Sequence, residues 1–132
     1  MSDWISPSTV SPYGYEEVLS MKMVTAVIRP EKFDPVRAAL EADGINGMTV
    51  SEVMGRGAQK GISLQFRGKT MPVELIPKVK IEMVVPDADV DRVLRIVREH
   101  GRTGKPGDGR IFVLPVESIC RVRTDQSDPS DP

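Results

Sequence analysis

The chain has little of several residue types on which specialised sites depend. Its 132 residues include one cysteine, Cys120, one histidine, His100, and few aromatic side chains: one tryptophan, two tyrosines and three phenylalanines. A single cysteine cannot form an intrachain disulfide and is typical of a reducing compartment. No histidine–cysteine cluster with metal-ligand spacing is present. Cys120 lies in a strand-like run, which predicts a small buried side chain rather than a reactive thiol.

The chain also has no excess of charge of one sign and no long apolar run. Its 18 basic and 19 acidic residues give a net charge of −1, so nothing in the composition favours nucleic-acid binding. No apolar run approaches the ~20 residues that span a bilayer, and the first residues do not have the basic-then-apolar pattern of a secretory signal. We therefore expect a cytoplasmic protein with one domain and one modest core, neither bound to nucleic acid nor inserted in a membrane.

Strand patterns occur at five places along the chain. The clearest is residues 78–85, where Val79, Ile81, Met83 and Val85 alternate with polar residues. The predicted strands cover residues 23–29, 48–54, 78–85, 110–116 and 119–123.

Two stretches have the spacing of amphipathic helices. The first is expected to begin at Asp34-Pro35, where aspartate can cap the helix and proline suits the first helical position, and to end at Gly44. The second is expected to be capped by Asp87 or Asp89, and its apolar residues 90, 93, 94 and 97 share one face.

The order βαββαβ predicts an α+β fold of the ferredoxin-like, split-βαβ type: an antiparallel sheet with both helices on one face. The other face must also be covered. Within the chain only residues 1–20 could do this, so self-association is the simpler expectation. Residues 1–20 are predicted to be a flexible extension, and the alternative is an arm that docks through Trp4, Tyr13 and Tyr15. The acidic residues 125–132 are predicted to be a disordered tail.

Residues 102–110, called here the glycine loop, contain three glycines within six positions. Glycine lets the backbone turn sharply and present N–H groups to a ligand. Arg110, with Arg121 and Arg123 further on, can bind phosphate oxygens in pairs through the planar guanidinium. The loop therefore predicts a polyphosphate cradle. The alternative for the Gly-Asp-Gly part is a helix C-cap followed by a hairpin turn.

The glycine loop resembles the B-loop of the PII signal-transduction proteins, whose usual wording is close to T-G-K-x-G-D-G-K. Three further segments match that family in order and spacing, at residues 21–30, 47–53 and 76–82. The resemblance covers residues 21–124 and implies a homotrimer with ATP or ADP bound in clefts between neighbouring subunits. The nucleotide-binding residues that it implies are Val27, Thr49, Gly55, Gly57, Ala58, Gln59, Glu82, Val84, Thr103, Gly107, Asp108, Gly109, Arg110, Arg121 and Arg123.

Residues 55–76 separate two strands that a much shorter connection could join, and a loop of this length is usually functional or disordered. At this position PII proteins have the T-loop, which contacts target proteins. Its base resembles the family's G-x-G-R-Q-K-G, with Ala58 in place of the arginine. The resemblance implies that Gln59 helps coordinate Mg²⁺ with ATP and 2-oxoglutarate, and that Lys78 engages 2-oxoglutarate or forms an ion pair across the loop base.

The apex of this loop departs from the family pattern. Met71 occupies the position of the tyrosine that relatives modify, and Phe66 replaces a second loop tyrosine. Tyrosine modification of the usual kind is therefore not expected, although Ser63 and Thr70 have hydroxyls that a kinase could phosphorylate. The resemblance implies a target transporter, channel or metabolic enzyme of nitrogen metabolism. The alternative is a divergent regulator of a transporter or of carbon or bicarbonate metabolism that responds to adenine nucleotides and another small effector.

The sequence favours a sensor over an enzyme. His100 lies at a predicted helix end, where it can act as a C-terminal cap rather than a general base. No serine or cysteine has an evident base partner. A ferredoxin-like enzyme that uses the glycine loop for catalysis remains the third hypothesis.

Overall fold

The computed structural model describes residues 16–17, 20–56, 63–66, 69–72 and 75–123. The elements in these ranges are β1 (Glu16–Glu17), β2 (Met21–Ile28), α1 (Phe33–Ala42), β3 (Thr49–Gly55), β4 (Ser63–Phe66), β5 (Lys69–Pro72), β6 (Ile76–Pro86), α2 (Val90–Gly101), β7 (Gly109–Pro115) and β8 (Ser118–Ile119).

The main sheet has four strands in the order β3-β6-β2-β7, and every neighbouring pair is antiparallel. Two further antiparallel pairs form separate two-stranded sheets, β1 with β8 and β4 with β5. The strands β2, β3, β6 and β7 with the two helices reproduce the predicted βαββαβ order, so the ferredoxin-like prediction is confirmed.

The core lies between the sheet and the two helices. Every second residue of β6 is buried, including Ile81 and Met83, as the alternation predicted. Val36 and Leu40 of α1 are fully buried against it. The buried core residues are Val24, Ala26, Ile28, Val36, Leu40, Ile45, Val79, Ile81, Met83, Val85, Val93, Ile96 and Val97.

The end of α1 is formed as predicted. Gly44 has φ +87°, and its amide donates to the carbonyl of Glu41 at 3.0 Å, while the amide of Ile45 donates to Leu40 at 2.9 Å. This pair of bonds is the Schellman motif, which needs a residue of positive φ after the helix.

One of the two predicted helix starts differs from the structure. α1 begins at Phe33, because a short 3-10 turn at Pro30–Lys32 starts the helical path before Asp34. α2 begins at Val90 with Asp89 at its N-cap position, as predicted, although the Asp89 side chain makes no capping hydrogen bond. Asp89 instead lies 3.4 Å from Arg92, and Asp87 forms an ion pair with Lys22 at 2.6 Å.

The segment after β7 also differs from the prediction. The strand expected at residues 119–123 is only the two-residue β8, which pairs with Glu16–Glu17, so part of the predicted flexible extension is held by backbone pairing. Cys120 is exposed rather than buried, because it follows β8 at the point where the chain leaves the ladder.

The sheet face opposite the helices remains open in the described residues. On β7, Phe112 and Leu114 point to this face and are 49% and 47% exposed. Large apolar side chains exposed to this degree on one strand indicate a surface that another protein chain covers.

Candidate functional site

The glycine loop connects the end of α2 to the start of β7 and lies beside the C-terminal end of β2. Gly104, Gly107 and Gly109 all have positive φ, between +86° and +109°. At Gly109 an added Cβ would lie 1.8 Å from the carbonyl oxygen of Val27, so only glycine fits where β7 meets β2. The C-cap of α2 is Arg102, in an extended conformation, and the three glycines lie beyond it.

The Asp108 carboxylate closes the loop. It accepts hydrogen bonds from the amides of Thr103 at 2.9 Å and Gly104 at 2.8 Å, from the Thr103 hydroxyl, and from Arg29 Nε at 3.0 Å. The bond from the Thr103 hydroxyl, followed by that from Arg29, holds the pKa of Asp108 well below its ordinary value. The carboxylate is therefore charged throughout the physiological range and holds the first half of the loop to the second.

Two cations hold successive carbonyls of the loop. Arg29 donates to the carbonyl of Pro106 at 2.8 Å, and Lys78 Nζ donates to the carbonyl of Gly107. None of these contacts engages the amides of Gly107 and Gly109. Because these carbonyls are bonded to cations, they are held away from an approaching anion. The loop can then present its N–H groups to that anion.

The base of the long loop lies next to the glycine loop. A Cβ built on Gly55 would stand 3.3 Å from Cγ of Lys78, whose Nζ reaches Gly107. Val27 pairs with both Arg110 and Lys80 across the sheet. The structure thus brings together Val27, Gly55, Lys78 and the glycine-loop residues Thr103, Gly107, Asp108, Gly109 and Arg110 at one end of the sheet. Gly57, Ala58 and Gln59 lie outside the described residues.

Three other predicted site residues lie around a separate cavity of about 530 Å³, called here the cleft. Thr49 pairs with Glu82 across β3 and β6, and Val84 follows on the same face. The cleft is lined by Met21, Met23, Gly44, Ile45, Asn46, Gly47, Met48, Thr49, Glu82, Met83, Val84, Val85, Pro86, Asp89 and Ile119. A mainly apolar cavity with a few polar groups is the usual form of a small-molecule site.

Arg121 and Arg123 follow β8, whose Ile119 lines the cleft. Arg121 is half-buried and Arg123 is exposed. These arginines therefore follow a strand whose end borders the cleft, and they are not part of the glycine loop. We call the glycine loop and the cleft the two candidate half-sites of the chain.

Sequence reasoning missed Arg29 and the methionines of the cleft. In the sequence Arg29 belongs only to a segment that matches the family. Its position directly after a strand is the one signal that could have indicated a role at the loop. Met21, Met23 and Met48 have no individual signal, because methionine is common in ordinary cores.

Among the described residues, no group of three or more histidine, cysteine, aspartate or glutamate side chains could hold a metal ion by itself. Within the same part of the chain, neither helix is long and apolar enough to cross a membrane.

The chain is thus a ferredoxin-like domain with a hydrogen-bonded glycine loop and a separate, mainly apolar cleft. A family model described as Nitrogen regulatory protein P-II matches residues 21–126. The chain is 50% identical over 108 residues to Nitrogen regulatory protein P-II of Synechocystis sp., covering 82% of this chain and 96% of the relative. It is 48% identical over 110 residues to Nitrogen regulatory protein P-II 2 of Methanothermobacter thermautotrophicus, covering 83% and 96%.

Among solved structures, the crystal structure of Arabidopsis thaliana PII bound to citrate matches with a TM-score of 0.63 and 38% identity, covering 81% of this chain and 87% of that one. The chain belongs to the PII family of nitrogen regulatory proteins. Proteins of this family are trimeric signalling proteins that regulate target proteins.

Proposed function

We propose that this protein is a homotrimeric sensor that binds ATP or ADP between neighbouring subunits and transmits the bound state to a target protein. The observation that carries the proposal is the separation of the two half-sites within one chain. The phosphate half lies at the glycine loop, and the cleft half lies at Thr49 and Val84.

The distance between the halves favours a site shared by two subunits. Arg110 is on β7 and Thr49 is on β3, and these are the two outer strands of the sheet. Three strand spacings separate them, which is about 14 Å across the sheet alone. The open face with Phe112 and Leu114 supplies the apolar surface that a second and third copy would cover. In this arrangement Arg121 and Arg123 of one subunit complete the phosphate site of the next.

The glycine loop would bind the phosphates through the amides of Gly107 and Gly109 together with Arg110. These amides and the nearby guanidinium supply the donors that phosphate oxygens prefer. The adenine would lie in the cleft against Val84, with Thr49 and Glu82 as its polar neighbours.

Lys78 links the nucleotide to a second effector in this proposal. Its Nζ now donates to the carbonyl of Gly107, so an incoming carboxylate such as that of 2-oxoglutarate would replace this neutral acceptor by a charged one. Gln59 would add an amide oxygen to Mg²⁺ carried by ATP, since carbonyl oxygen is a ligand that Mg²⁺ accepts. The Arabidopsis relative has citrate, also a carboxylate, in its crystal structure.

The output would be the long loop between β3 and β6, with a transporter, channel or metabolic enzyme of nitrogen metabolism as the target. The names of the relatives favour nitrogen regulation. Met71 in place of a modifiable tyrosine favours control by ligands alone. A target in carbon or bicarbonate metabolism is the second candidate, because the loop's apex and Ala58 depart from the family pattern. We assign no catalytic role to the site.

Titration calorimetry with ATP, ADP and AMP, with and without Mg²⁺ and 2-oxoglutarate, tests the proposal. We expect ATP and ADP to bind in the micromolar range or tighter, and 2-oxoglutarate to bind only with Mg-ATP. Gln59→Ala should abolish 2-oxoglutarate binding and leave ADP binding unchanged. Tight binding of 2-oxoglutarate without nucleotide, or a monomer in sedimentation velocity that still binds ATP, would contradict the shared site.

A further inference from the structure

The N-terminal segment reaches the body of the protein at the edge of the cleft. Glu16 pairs with Ile119, and Ile119 is one of the residues that line the cleft. After β1 the chain is held again at Ser20, whose carbonyl accepts a hydrogen bond from the amide of Asp87 at 2.7 Å. Residues 1–15 therefore start from a fixed point beside the cleft, although they lie outside the described residues themselves.

The composition of this segment is unusual for the chain. The single tryptophan, Trp4, and both tyrosines, Tyr13 and Tyr15, lie within the first 15 residues, whereas the rest of the chain has only three phenylalanines. Aromatic side chains bury large apolar areas, and those of tyrosine and tryptophan suit surfaces with an apolar centre and a wet rim.

The cleft offers a matching surface. Met23 and Met48 line it as half-buried side chains, and the buried Met21 and Met83 also border it, so four of the chain's seven methionines lie around the cleft. Thioether groups adapt to irregular shapes and make favourable contacts with aromatic rings. A volume of about 530 Å³ is within the range of pockets that hold ligands of drug size, and is ample for one or two aromatic rings.

We propose that residues 1–15 dock in the cleft of their own chain through these aromatic side chains, and that they compete there with the nucleotide base. The competition rests on the proposed function, whereas the docking does not. Attachment at Glu16 makes this segment a better occupant than a separate protein, because a short tether gives an effective concentration in the millimolar range. Fifteen residues reach up to about 50 Å, so the length is sufficient.

Docking has a direct reporter because Trp4 is the only tryptophan. We expect its emission in the full-length trimer to be blue-shifted and shielded from acrylamide. Ile119→Asp places a charge in the cleft without altering the core cluster, and should return the emission to that of exposed indole. The matched control is Met54→Asp on β3, a side chain that is 57% exposed and outside the cleft, which should leave the emission unchanged. Exposed indole in the unaltered protein, or shielding that Ile119→Asp does not reduce, would overturn the docking.

Competition is tested with a chain that begins at Glu16. If the segment occupies most clefts, only the remaining fraction of clefts is open to ATP, and the apparent ATP affinity of the full chain falls to that fraction of its intrinsic value. The shortened chain should therefore bind ATP about three- to tenfold more tightly. ATP should also shift Trp4 emission of the full chain to the red. Equal ATP affinities would overturn the competition. If the shortened chain binds no nucleotide at all, the proposed function fails, while shielding of Trp4 that Ile119→Asp removes would still support docking.

A mixed trimer decides whose cleft is occupied. Chains with Trp4 and Ile119→Asp are combined with chains that carry Trp4→Phe and an intact cleft. Trp4 should be exposed in this trimer. Shielding in it would mean docking on a neighbouring copy, which would overturn docking within the chain.

Discussion

Arg29 Nε donates a hydrogen bond to Oδ1 of Asp108 at 3.0 Å, and this contact fastens the glycine loop to the end of β2. The same guanidinium also bonds the carbonyl of Pro106. An added Cβ at Gly107 would meet Arg29 at 3.2 Å, so the arginine lies directly against the loop. Arg29 thus holds the loop in its conformation, and we assign it the role of a positioning residue for the proposed phosphate site.

Arg29→Ala should weaken ATP binding about tenfold while leaving the trimer intact. The change removes two bonds from a charged group, each of a class worth roughly 1.5–3 kcal/mol, and part of this loss is recovered as the loop relaxes. Calorimetry gives the affinity, and sedimentation gives the assembly. The matched control is Arg37→Ala on α1, whose ion pairs are with Glu41 and Asp34 of the same helix and which should not change ATP affinity. Equal effects of the two substitutions would contradict a role for Arg29 in positioning.

The lowered pKa of Asp108 predicts a loop that tolerates acid. A carboxyl group whose pKa is depressed by folding stabilises the native state fully above its unfolded pKa and loses that contribution as the pH falls through the folded value. The amide NMR signals of Thr103 and Gly104 should therefore stay constant from neutral pH to about pH 4. Thr103→Ala removes the largest cause of the shift, so the pKa of Asp108 should rise and the amide of Gly104 should respond at higher pH. An unchanged titration in this variant would show that the hydroxyl bond does not hold the carboxylate.

Gly109 and Gly104 separate steric conflict from backbone conformation. Both have positive φ, but only at Gly109 would a Cβ strike the backbone, whereas the space around Gly104 is open. Gly104→Ala should cost about 1–2 kcal/mol of unfolding free energy, the cost of the conformation alone. Gly109→Ala should cost about 3 kcal/mol or more, because β7 must separate from β2. Chemical denaturation measures both, and similar losses would contradict the close contact with Val27.

The fold could be predicted because local patterns and global packing agree. The alternation in β6 and the helix end at Gly44 are short-range signals, and the structure has both where they were expected. The start of α1 and the strand after β7 could not be placed in the same way. They depend on a 3-10 turn at Pro30–Lys32 and on backbone pairing with Glu16–Glu17, which are not visible in the local sequence.

The glycine loop could be located from the sequence, whereas the side chains that strand order brings to it could not. The glycine loop is contiguous, so its residues are adjacent in the sequence as well as in space. Arg29 and Lys78 reach that loop only because β2 lies between β6 and β7. The distribution of Thr49 and Arg110 to opposite edges of the sheet is likewise a property of strand order, which a motif does not record.

Arg121→Ala combined with Arg123→Ala should weaken ATP binding by about 2 kcal/mol or more, since hydrogen bonds to charged groups are each worth roughly 1.5–3 kcal/mol. The two residues follow β8, which borders the cleft of their own chain, so under the proposed shared site their effect should appear in the neighbouring subunit's phosphate site. Trimers that mix this double variant with Arg29→Ala chains test this. In a trimer of one double-variant chain and two Arg29→Ala chains, one of the three intersubunit sites has both of its halves intact. That site should bind ATP normally. Unchanged affinity in the folded double variant would contradict the assignment of both arginines.

Removal of residues 66–72 should abolish target binding while leaving the trimer and ATP affinity nearly unchanged. The segment contains β5 and the last residue of β4, and these strands pair with each other and with no strand of the main sheet among the described residues. Their loss therefore removes no ladder bond from the main sheet. ATP and ADP differ by one phosphate near the loop base, and a ligand shifts a conformational equilibrium only by its differential affinity for the two states. A pull-down in each nucleotide state, with the shortened loop as the matched control, should therefore retain a partner only with the full loop and in one nucleotide state. Loss of the trimer on shortening would show that the loop is structural, and retention of the partner would place the target contact elsewhere on the protein.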